Sequence, residues 1–96
     1  MTQQVTVTAD TQIALKPLIE SALRAELRML ELSLQRTARR LRAFETQYDL
    51  TSEEFERRFN AGEVEESLDF IEWAGELKTY RLLDAQRHAL QGVQLA

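Results

Sequence analysis

The 96 residues contain no cysteine, one histidine (His88), one proline (Pro17) and one tryptophan (Trp73). Without cysteine there is no disulfide framework, and a lone histidine excludes a Cys/His zinc site. Three glycines, at positions 62, 75 and 92, are too few and too scattered to build a phosphate loop or a dinucleotide fingerprint. The opening MTQQVTVTAD has neither a basic start nor an apolar run, so no secretory signal or membrane span is expected there. A cytoplasmic protein with no membrane association is the expectation.

Positive charge is the minority sign: 12 Lys and Arg against 16 Asp and Glu give a net charge of -4. The resulting pI near 5.0 argues against nonspecific nucleic-acid binding, because phosphate contacts need a positive surface. The charges are unevenly placed. Residues 53–76 carry nine acids and only Arg57 and Arg58 as bases, whereas Arg36, Arg39, Arg40 and Arg42 form a run with no acid inside it. Compensation of the arginines by the acids, across a folded-back chain, is the expected use of both runs. Pairs of that kind contribute about 0–1 kcal/mol each when exposed, enough to favour a register.

What the chain has in quantity is apolar residues at helical spacing. Leu23, Leu27, Leu30, Leu34, Leu41, Phe44 and Tyr48 follow one another in steps that fit heptads, and only Thr37 breaks the seam. The pattern predicts a coiled-coil-like helix over 17–48, roughly 48 Å long at 1.5 Å per residue, with Pro17 in the first turn where its missing N–H is tolerated. A second row, Leu18, Ala22, Ala25, Met29 and Leu32, falls roughly 150° around the same helix. This helix therefore has two faces to bury. The second row reads as homodimer core, as a surface for a partner protein or as core within the chain.

The helix is expected to stop near Asp49. Thr51 and Glu54 have the spacing of a capping box, with Leu50 and Phe55 as its hydrophobic staple, and they open a short helix over 52–60. Phe55 and Phe59 share one face of it, and Gly62 suits the left-handed position that ends it. Ser67 or Asp69 then caps a return helix over 67–91. Phe70, Trp73, Leu77 and Tyr80 form one stripe on that helix, and Leu68, Ile71, Leu82, Ala85 and Ala89 form another, with Gly75 between them.

Val5 to Thr8 alternates β-branched and polar residues, so 1–10 reads either as an extended arm or short strand, which must pair with this chain's own copy or a foreign sheet edge, or as a frayed terminus. The expected architecture is an all-α helical hairpin in a single domain over 1–96: a long helix, a short capped corner and an antiparallel return helix, dimeric, with a short N-terminal β-arm.

Nothing in the sequence asks for catalysis or a cofactor. His88 has Asp84 one turn earlier but no nucleophile beside it, and Glu72 with Glu76 lacks the Glu-x-x-His companion of a di-iron carboxylate bundle. The stripe Phe70, Trp73 and Tyr80 reads as core, not as a platform for stacking bases.

The run from Tyr48 to Glu63, with Ser-Glu-Glu-Phe55 and Phe59-Asn-Ala-Gly-Glu63, followed by Asp69-Phe-Ile-Glu-Trp73, resembles a group of small prokaryotic helical proteins found in cyanobacteria and archaea. They share a Ser-x-Glu-Phe, Phe-x-x-Gly-Glu and Asp-x-x-Glu-Trp order after an arginine- and leucine-rich helix, and they resemble antitoxin components of toxin–antitoxin pairs. The resemblance covers 48–76 and, more loosely, the heptad helix. It implies a noncatalytic protein-binding subunit that sequesters a small toxin. The alternative from the pattern alone is a structural coiled-coil homo-oligomer with no foreign client. A DNA-binding role is not expected, since neither a helix-turn-helix nor a ribbon-helix-helix arrangement is evident.

Overall fold

The computed structural model of the chain describes residues 3–5 and 14–95. In order they form β1 (Gln3–Val5), α1 (Leu15–Tyr48), α2 (Ser52–Asn60), α3 (Leu68–Gln91) and β2 (Val93–Leu95). The architecture is the expected all-α hairpin, 61 × 21 × 17 Å in extent. No described helix is long and apolar enough to cross a membrane.

α1 begins two residues before 17, which places Pro17 at its third position. That costs nothing in hydrogen bonding, because the first four N–H groups of a helix have no partner within it. α1 ends at Asp49, held in the left-handed region at φ 49° while its N–H reaches the Glu45 carbonyl. Asp is one of the few residues other than glycine that enter this region routinely.

The corner is fixed by local chemistry. Thr51 Oγ1 accepts from the Glu54 N–H at 3.2 Å, the forward half of a capping box. The reciprocal half, from the Thr51 N–H to Glu54, is not made: the Glu54 carboxylate turns outward to Arg57 and Arg58, while the next N–H, that of Ser52, donates to Glu45 on the preceding helix at 2.9 Å. α2 closes in a Schellman arrangement. The Glu63 N–H reaches the Arg58 carbonyl at 2.8 Å and the Gly62 N–H reaches Phe59 at 3.2 Å, with Gly62 at φ 71°. Ser67 is the cap of α3, its Oγ accepting from the Phe70 N–H at 3.1 Å.

α3 returns antiparallel along α1, because Tyr48 meets Asp69 while Arg40 meets Glu76. The heptad row is the inner seam. Leu30, Leu34 and Leu41 are buried and Leu23, Leu27, Phe44 and Tyr48 half-buried. Thr37 does not interrupt the seam: it is buried, and its hydroxyl donates to the Ser33 carbonyl at 2.9 Å, so its polar atom needs no outside partner. The dense part of the core lies at the corner, where Leu41, Phe55, Trp73 and Leu77 are buried against Leu50, Phe59 and Phe70.

The N-terminal strand runs over Gln3–Val5, earlier than the alternating pattern suggested; residues 6–8 lie outside the described part. It needs no foreign edge for its pairing. β1 pairs in parallel with β2, in the register Gln3 with Val93 and Val5 with Leu95, and the Gln3 N–H reaches the Gly92 carbonyl at 2.9 Å. β2 follows α3 directly, and its three residues carry too little periodicity to signal a strand from sequence.

Candidate protein-binding surface

The corner fixes the relation of the three helices. The Trp73 ring stacks on Phe55 with centroids 4.0 Å apart and planes 2° from parallel, and Phe44 and Tyr48 stack on it at 5.5 and 5.9 Å. Both Trp73 and Phe55 are fully buried. The indole N–H donates to Ser52 Oγ at 3.0 Å, which satisfies the polar atom that comes with so large an apolar side chain. The Tyr48 hydroxyl donates to Asp69 at 2.5 Å, and that bond pushes the phenol above its ordinary range because ionisation would break it.

With α1 thus clamped along its inner seam, the second row points away from α3. Leu18, Met29 and Leu32 are 59–64% exposed, Ala22 is exposed and Ala25 half-buried. None of the described chain folds over them. Met29 and Leu32 lie one turn apart, and Leu18 stands eleven residues before Met29 with Ala22 and Ala25 between them.

α3 has an uncovered row of its own. Leu68, Ile71 and Leu82 are 54–71% exposed, and Ala85 and Ala89 are exposed beside them. Between α1 and α3, on the side that α2 does not cover, lies an open groove of about 580 Å³. Phe44 and Ala43 line it from α1, and Gly75 and Thr79 from α3, with Arg40 and Glu76 also at its wall.

The expected charge compensation is only partly made. Arg40 pairs with Glu76 at 3.1 Å, and Gln47 and Tyr48 occupy Asp69. Arg36, Arg39 and Arg42 have no acidic partner among the described residues, and neither Glu65, Glu66 nor Glu72 has a basic one. The geometric reason is helical rotation. Arg36 and Arg39 lie on the outer side of α1, turned from α3, and Glu54, Glu56 and Glu63 are taken by other arginines. Glu54 binds Arg57 and Arg58, which holds its carboxyl down at about 2, and Glu63 also binds Arg57. Glu56 binds Arg81 of α3 and is likewise lowered.

Among the described residues no cluster of acids and histidine could hold a metal ion. Glu72 is exposed and Glu76 is engaged with Arg40. His88 is also exposed, its Nδ1 3.7 Å from Asp84, which bonds Arg87 as well. No protein-family model matches the chain, and neither a curated protein nor a solved structure is significantly similar to it.

Proposed function

We propose that this chain is a noncatalytic protein-binding module, the antitoxin-like partner of a small toxin, which engages its client through the outer row of α1. The observation that carries the reading is the exposure of Leu18, Met29 and Leu32 on a helix whose opposite face is already packed. An isolated chain gains nothing from keeping such side chains in water, whereas burial against a partner is worth about 25 cal/mol per Å² of apolar area. Methionine adapts to the shape of what it meets, and arginines such as Arg28 and Arg36 beside the row supply the polar rim common at interfaces. A helix presented to a hydrophobic groove is a frequent mode of recognition. The antitoxin character rests on the resemblance of 48–76, and a cytoplasmic location goes with it.

The test is growth. Expression of the product of the neighbouring gene alone is expected to arrest cells, and co-expression of this chain to restore them. A chain carrying Met29→Glu and Leu32→Glu is expected to fold yet fail to restore growth. Full rescue by that variant, or a harmless neighbour, would remove the reading.

The second reading, a structural homo-oligomer with no client, is favoured by the open row on α3, Leu68, Ile71 and Leu82. The two are compatible if different faces serve them.

A further inference from the structure

The outer row of α1 has two unlike borders. At about 100° per residue, the third of the helix circumference that holds Leu18, Ala25 and Leu32 and the strip on one side of them also carries Arg24, Arg28, Arg36, Arg39 and Arg42, and no acid. All five arginines are exposed. From Arg24 to Arg42 the strip runs roughly 27 Å at 1.5 Å per residue. The acids of α1, Glu20, Glu26, Glu31 and Glu45, lie outside it.

None of these arginines closes on a carboxylate among the described residues. Arg24, Arg28 and Arg42 each have an acid one turn away, in Glu20, Glu31 and Glu45, and leave it unused; Glu45 accepts from the Ser52 N–H instead. Arg36 and Arg39 have no acid three or four residues away in either direction, and α3 packs on the opposite side of the helix. Like charges one turn apart, such as Arg24 with Arg28 and Arg36 with Arg39, disfavour the free helix. A face that served solubility alone would gain from acids interspersed among them.

We infer that the surface receiving the outer row is acidic along one border: a protein whose Asp and Glu side chains meet Arg28, Arg36 and Arg39 while its apolar groove takes Met29 and Leu32. The inference rests on the client reading above and adds the client's chemistry. The planar guanidinium matches a carboxylate with two parallel hydrogen bonds, which suits arginine to such a rim. The neighbours of the arginines favour protein over nucleic acid. Leu32 stands one turn before Arg36 and Met29 beside Arg28, both more than half exposed, and a duplex held through its phosphates would leave them in water. The other border of the row carries Glu26 and the Arg40–Glu76 pair, so the charges admit one orientation of the client.

Calorimetric titration of the neighbouring gene's product into the full chain tests this, repeated as NaCl rises from about 0.1 M to about 1 M and the Debye length shrinks from about 10 Å to about 3 Å. Wild-type affinity is expected to fall about tenfold over that range. At the low-salt end Arg36→Glu/Arg39→Glu is expected to lose about tenfold, and the salt dependence with it, at unchanged helicity because both positions are exposed. Lys78→Glu, a reversal of the same sign on α3, is expected to leave affinity unchanged. Affinity that vanishes in the Met29→Glu/Leu32→Glu chain yet is indifferent to salt and to the arginine exchange would overturn this inference and leave the client reading standing. Absence of binding by the wild type would remove both. Binding of a random-sequence DNA duplex to the wild type, released by the arginine exchange, would also overturn the inference, since it assigns the face to phosphates.

Discussion

The indole N–H of Trp73, on the return helix, donates to the hydroxyl of Ser52, the first residue of the corner helix, across 3.0 Å in a site closed to water. This bond and the Phe55 stack beside it tie the corner to the hairpin. Ser52→Ala leaves a buried donor without a partner, at a cost of about 1–3 kcal/mol. Trp73→Phe removes donor and part of the ring together, so combining the two changes should cost less than their sum. Denaturant unfolding followed by circular dichroism, run as a double-mutant cycle, checks this.

The two described helix-associated glycines that differ in backbone should respond to alanine with opposite signs. Gly62 has φ 71°, so Gly62→Ala strains the Schellman end of α2 by about 1 kcal/mol even though its Cβ would have space. Gly75 is helical and open, so Gly75→Ala raises helix propensity by about 1 kcal/mol. Thermal melts of each alanine variant against wild type read the effect of each.

The acidic limb of stability should reside in the corner. Glu54 is held at about 2 by Arg57 and Arg58, below its ordinary 4.5. A lowered carboxyl contributes stability above its unfolded value, and that contribution is lost as pH falls towards its folded value. Melting temperature should therefore fall between about pH 4.5 and 2, and Glu54→Gln should flatten that part of the profile. Glu56, lowered by Arg81, adds to the same limb. Tyr48 acts with the opposite sign: its raised phenol contributes below its ordinary value of 10, and the contribution is lost as pH rises through the higher folded value. Absorbance titration of wild type against Tyr48→Phe reports it.

Exposed rows should be cheap to change in the folded chain. Met29→Glu and Leu32→Glu each alter an open position, so unfolding free energy should move by no more than about 0.5 kcal/mol per site. Stability close to wild type in denaturant titration is the condition for reading any loss of binding as a lost contact.

The hairpin, its corner and the inner seam were legible because several residues agreed locally: the heptad row, the Thr51 and Ser67 caps and Gly62 all specify backbone conformation within a few residues. Rotation about the helix axes was less legible. Arg36 and Arg39 share the arginine run with Arg40, but only Arg40 faces an acid on α3, and composition alone could not separate them. Glu54 was expected to turn back to the start of α2, yet two arginines one turn on compete for its carboxylate. The strand at Val93–Leu95 left no signal because its pairing depends on β1, far away in sequence. The outer row Leu18 to Leu32 could be read as a face but not as an open one, since only the position of α3 decides what covers α1.

The central claim is that this outer row binds a protein client. Calorimetric titration of the neighbouring gene's product into wild type and the Met29→Glu/Leu32→Glu chain tests it most directly. Wild type should bind, and the double variant should lose about a hundredfold in affinity, as expected for two central apolar anchors. Undiminished affinity in the double variant would contradict the account.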